Sequence, residues 1–128
     1  MSMFFTVPMK LLSESMKSFN VTQEFKKDFK KLGKKHQTLD EDLEKLKKVL
    51  ATTPTGIGKN FIVIHHSPAI KIVKARMACR ALRDRSLRII YAYFEQEQTI
   101  EFIELYFKGD KENEDRERIK EYLKNQAT

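Results

Sequence analysis

The chain has little of what holds small folds together covalently. One of its 128 residues is cysteine, Cys79, so no disulfide closes within the chain, and no Cys/His cluster has zinc-ligand spacing. A reducing cytoplasm suits such a sequence. Only four glycines and three prolines interrupt it, which excludes collagen-like and low-complexity classes. The apolar run from Phe4 to Met9 is far shorter than the ~20 residues of a membrane helix or the ~7–15 of a signal-peptide core. The expectation is a cytoplasmic protein with no membrane partner. No G-x-S-x-G, H-E-x-x-H or calcium-loop pattern occurs, which removes the familiar hydrolase, zincin and EF-hand chemistries. Gly56-Ile57-Gly58-Lys59-Asn60 lacks the first glycine and the Ser/Thr of a phosphate loop and reads as a plain loop. His65 and His66 are adjacent on a strand, so their side chains diverge and do not share a metal. No metal or other cofactor is expected.

What is present is a foldable, basic chain. Hydrophobic residues make up 41% and charged residues 34%, with a net charge of +7, which favours polyanionic partners, nucleic acid first. The surplus is local. Residues 71–88 carry Lys71, Lys74, Arg76, Arg80, Arg83, Arg85 and Arg88 against Asp84 alone, so seven cations less one anion leave +6. Arginine outnumbers lysine there five to two, although lysine dominates elsewhere. A planar guanidinium fork matches phosphate oxygens, whereas an ammonium offers a point charge. The plain alternative is a solvated hairpin.

Residues 1–15 show no sustained period and read as an N-terminal extension, disordered and dispensable for folding, with Met16 as a candidate start. Residues 16–128 then form a single domain. A short strand is expected around Ser18–Val21. Phe25, Phe29 and Leu32 follow at helical spacing, and Gly33 is placed to stop that helix. A second helix starts at Thr38-Leu39-Asp40-Glu41, which has the pattern of a capping box, and carries Leu39, Leu43, Leu46 and Leu50 as its stripe. The pair makes an antiparallel helical hairpin ending near Pro54.

Beyond it the period falls to two, with β-segments near 60–65, 70–77, 87–94 and 99–107. Gaps this short cannot hold parallel crossovers, so residues 70–107 read as an antiparallel meander. A helix with Ile119, Tyr122 and Leu123 on one side closes the chain. The predicted class is α+β: an N-terminal helical hairpin on a mainly antiparallel sheet, with a C-terminal helix. Lys74 and Arg76 project from one sheet face, and Arg88 begins the next strand. Tyr91, Tyr93 and Tyr106 offer rings in neighbouring strands, so cations and aromatics together suggest a grip on single-stranded nucleotide. For the tyrosines the plain alternative is half-buried sheet packing. Cys79 lies among cations that favour a thiolate but has no catalytic partner.

The hairpin FKKDFKKLGKKHQTLDEDLEKLKKVL, the strands IVKARMA and LRIIYAY, and the ending FIELYFKGDKENEDRERIKEYL resemble the RelE/ParE superfamily of toxins from type II toxin–antitoxin modules. The resemblance spans Phe19 to about Leu123. It implies an antitoxin partner and, in the RelE-like branch, metal-independent cleavage of messenger RNA on the ribosome, forming a 2′,3′-cyclic phosphate. The alternative it leaves open is a ParE-like gyrase inhibitor, or an inactive member that only binds antitoxin. Carried over by position, Lys74 is assigned to proton transfer, as a base that would need a depressed pKa, and Arg76 and Arg88 to phosphate clamping. The pattern's later Arg and Tyr are missing. Lys108 or Lys111 stands in for the cation and Tyr106 for the stacking ring, with Arg83 and Arg85 as further substrate contacts. Asp110, Glu112, Glu114 and Asp115 would repel RNA if they faced it.

Overall fold

The computed structural model describes residues 17–83 and 85–126, so the expected extension at residues 1–15 lies outside the described residues. The order is β1 (Ser18–Val21), α1 (Gln23–Gly33), α2 (Leu39–Thr52), β2 (Phe61–His66), β3 (Lys71–Cys79), a short 3-10 turn (Arg80–Leu82), β4 (Arg85–Phe94), β5 (Thr99–Phe107) and α3 (Arg116–Gln126). The strands form one sheet in the order β1-β5-β4-β3-β2. The α+β class and the antiparallel β3-β4-β5 meander match the expectation, and β2 extends the meander by pairing antiparallel to β3.

The expected strand at Ser18–Val21 forms as β1, so the helical hairpin is the second feature of the fold and not its first. The correction to the predicted architecture is where β1 sits: it joins the far edge of the sheet, parallel to β5, with Ser18 opposite Thr99 and Val21 opposite Phe102. Two packed helices carry the chain back across the sheet, which allows a parallel pairing that short turns forbid. Phe19 locks the strand in place by stacking on Phe102 at 6.0 Å.

The two sheet faces bury different partners. Leu39, Leu43, Leu46 and Leu50 of α2 with Phe25 and Leu32 of α1 pack on Val73, Ala75, Met77, Leu87, Ile89, Tyr91, Ile100, Phe102 and Leu105. On the other face Ile70, Ile72, Ile90, Ala92 and Ile103 receive Ile119 and Tyr122 of α3. Thr22 caps α1, accepting from the Phe25 N–H at 3.1 Å. The expected capping box at α2 does not form: the Thr38 hydroxyl donates to Asp42 at 2.9 Å and accepts from the Ala81 N–H at 2.9 Å, so it ties the β3–β4 turn to the helix instead. Gly33 ends α1 without left-handed geometry; the glycines at positive φ are Gly56, at 71°, and Gly58, at 86°, both in the loop between α2 and β2. Among the described residues no helix is long and apolar enough to cross a membrane.

Candidate functional site

Alternation along β3 places Ile72, Lys74 and Arg76 on the face that α3 covers, and alternation along β4 places Arg88, Ile90 and Ala92 there too. Register then decides the geometry: Arg76 lies directly opposite Arg88, and Arg88 directly opposite Tyr106. Like charges facing each other across a ladder are unfavourable. Arg88 donates to its neighbour's carbonyl, Ser86 O, at 3.3 Å, and among the described residues neither arginine has a carboxylate within ion-pair distance. With Lys74, Lys59 and Lys108 they line a cavity of about 140 Å³, to which Asn60, Glu112 and Asn113 also contribute. Small and cation-rimmed, it suits a phosphate more than an apolar ligand. A larger groove of about 750 Å³ opens at the other end of the same sheet face, lined by Ile70, Phe94, Leu123, His65, Glu97 and Glu101 among others, and gathers no cation.

The third member of the cluster is not free. Lys74 Nζ donates to Glu114 Oε1 at 2.8 Å, with side chains 24% and 12% exposed. The Glu114 hydrogen bond outweighs burial and holds the Lys74 ammonium above the ordinary 10.5. Burial pushes the Glu114 carboxyl up, but the Lys74 bond and neighbouring charges prevail and leave it below the ordinary 4.5. In this arrangement Lys74 is an ion-paired ammonium, and the net effect of its surroundings runs opposite to the lowered pKa that the neutral-base role expected for it requires.

Glu114 is delivered by the connection between β5 and α3. One extra residue in β5 leaves Ile103 unpaired between the pairs Ile90–Glu104 and Tyr91–Phe102, a bulge that turns Ile103 and Glu104 to the same side. Glu104 is fully buried there, accepting from the Asp115 N–H at 2.8 Å and from Lys111 Nζ. Asp115 in turn caps α3 by accepting from the Arg118 N–H at 3.0 Å. At Gly109, in this connection, a Cβ would stand 2.4 Å from the Phe107 ring, so any other residue there makes that ring shift.

Several expected contacts are not brought together. Tyr106, expected as a stacking ring, is only 5% exposed, with the Lys111 ammonium 5.3 Å from its ring centre, so it presents no face to a base in this arrangement. Its hydroxyl feels the Lys74 charge but makes no hydrogen bond of ordinary geometry; burial raises its pKa and Lys74 offsets part of the rise. Tyr91 and Tyr93 are core residues on the helical-hairpin face, Tyr91 donating to Pro54 O at 2.6 Å. Lys111 is spent on Glu104. Arg83 and Arg85 line a separate hollow at the hairpin tip, and Arg85 sits over Phe107, on the other sheet face from Arg88. Cys79 is fully buried, which pushes its thiol up rather than favouring a thiolate. Among the described residues no cluster of His, Cys, Asp or Glu is arranged to hold a metal.

Sequence reasoning missed Lys59 and Asn60, and it noted Glu114 only as part of an acidic run. The usable signal was that run itself, close behind the strand that borders the cations.

No protein-family model and no curated protein matches the chain. Among solved structures it is similar to a chain of the archaeal RelE–RelB complex from Pyrococcus horikoshii OT3, at a TM-score of 0.54 and 17% identity, covering 72% of this chain and 94% of that one. At that identity the likeness speaks for the fold, and the fold of this chain is RelE-like.

Proposed function

We propose that the protein is the toxin of a type II toxin–antitoxin pair and a metal-independent endoribonuclease acting on ribosome-bound messenger RNA. The observation that carries this reading is the Arg76–Arg88 couple, two like charges held opposite each other with, among the described residues, no carboxylate in ion-pair distance of either. Such a couple lowers its energy by gripping a phosphodiester. In the reaction the ribose 2′-hydroxyl gives up its proton to solvent water as its oxygen attacks the adjacent phosphorus, and the 5′-oxygen departs with a proton of its own, leaving a 2′,3′-cyclic phosphate. The arginines hold the phosphate oxygens and stabilise the crowded phosphorane, and Lys74, carrying its proton, supplies charge and a proton for the leaving oxygen.

The partner in the similar structure is RelB, and a cognate antitoxin is the corresponding partner here. Its acidic side chains would neutralise the same cations. The cytoplasm is where ribosome, message and antitoxin meet.

The test is induction of the protein in cells, which should arrest translation and cut ribosome-bound messages. Arg88→Ala should cost about 2.7–4 kcal/mol of transition-state stabilisation, roughly 10²–10³ in cleavage rate. Unchanged toxicity in that variant would place the site elsewhere. A second reading is a binding-only effector, acting on gyrase or on antitoxin alone; the neutralised Lys74 and the covered Tyr106 favour it. Translation that stops without RNA cuts, or supercoiling that fails first, selects it.

A further inference from the structure

We propose that the β5–α3 connection is an internal competitor for the cationic site, with the Glu114 carboxylate seated on Lys74 where a substrate phosphate belongs. This rests on the phosphate-binding reading above and concerns how that site is regulated. Two observations carry it. The Glu114 carboxylate is an anion already docked on the cation cluster, 2.8 Å from Lys74 Nζ, while among the described residues no carboxylate pairs with Arg76 or Arg88. Glu112 and Asn113 from the same connection line the cavity.

The anchoring explains how the segment can move. Buried Glu104 holds it at Lys111 and at the Asp115 N–H, so residues 112–114 arch between two fixed points. Rotation within the arch lifts Glu114 from Lys74 without breaking either anchor or the cap of α3. An incoming phosphate then inherits Lys74 with Arg76 and Arg88. Binding must displace a resident carboxylate, so the free protein grips RNA more weakly than its cations alone would.

The experiment is fluorescence anisotropy with a labelled, short 2′-O-methyl oligoribonucleotide, which cannot be cleaved. Glu114→Gln should bind it roughly three- to tenfold tighter than the wild type at low salt, the yield of removing one partly exposed ion-pair competitor. Its log–log salt slope should steepen by about 0.7, one phosphate contact on a single strand. Unchanged or weaker binding by Glu114→Gln, with Arg88→Ala weakened as expected, overturns the competitor and leaves the site standing. If Arg76→Ala and Arg88→Ala bind like the wild type, the site itself is wrong. A second readout needs no variant: on titrating the wild type, the amide signals of residues 112–115 should shift together with the Arg88 side chain. Arg88 shifting over a still arch refutes the proposal.

Discussion

Replacing Arg76 by Gln separates a structural cation from a functional one. Arg76 is exposed, faces Arg88 across the ladder and has no carboxylate partner among the described residues, so its charge contributes repulsion to the folded state. Such a pair destabilises by roughly 0.2–1 kcal/mol, and exposure puts this one at the lower end. Gln keeps most of the side chain's length and removes the charge. The variant should therefore gain about 0.5 kcal/mol at low salt, or roughly 2 °C in Tm for a domain of this size. The gain should fade as salt screens the pair. RNA binding should move the other way, losing roughly 1.5–3 kcal/mol of charge-assisted hydrogen bonding and about 0.7 from the salt slope. Thermal melts across ionic strength and anisotropy titrations read the two quantities independently. A lower Tm together with unchanged binding would show that Arg76 serves the fold, and the argument from an unsatisfied arginine couple would be wrong.

Glu104→Gln keeps an acceptor for the Asp115 N–H but forfeits the charge that holds Lys111, and should cost about 1–2 kcal/mol in urea denaturation. Gly56→Ala should be more damaging than a loop substitution usually is, by roughly 1–3 kcal/mol, because φ is 71° and the new Cβ would lie 2.0 Å from the Phe61 ring; a wild-type melting curve would contradict the geometry. The Lys74–Glu114 pair should leave a pH signature. Glu114 titrates below its ordinary 4.5, so its contribution is complete above that value and disappears as pH falls through the folded pKa. Lys74 titrates above 10.5, so its contribution is complete below that value and disappears as pH rises through the folded pKa. Stability against pH should thus be flatter at the acid end in Glu114→Gln than in the wild type, and identical acid limbs would remove the pair as a contributor.

Much of the fold was legible because its signals are local. Leu39, Leu43, Leu46 and Leu50 repeat at helical spacing and all four are buried, and residues 99–102 alternate as a strand should ahead of the bulge. The placement of Lys74 and Arg76 on one face needed only the two-residue period of β3. Where local pattern and tertiary demand competed, the pattern lost. Thr38 has the sequence of a capping residue, yet its hydroxyl is taken by Asp42 and the Ala81 amide. Tyr91 and Tyr106 read equally well as ligand-stacking rings and as core, and burial chose core.

The sequence by itself determined the helical hairpin, the meander and the concentration of arginine on one β-hairpin, since periodicity and charge count depend only on near neighbours along the chain. Only the tertiary structure decided that Arg76 meets Arg88, that β1 runs parallel to β5, and that Glu114 reaches Lys74 from 40 residues away. The reason is physical: register and ion pairing between distant segments depend on how two cores pack on opposite faces of one sheet, and on a single extra residue at Ile103 that turns Glu104 inward to hold the acidic arch in place.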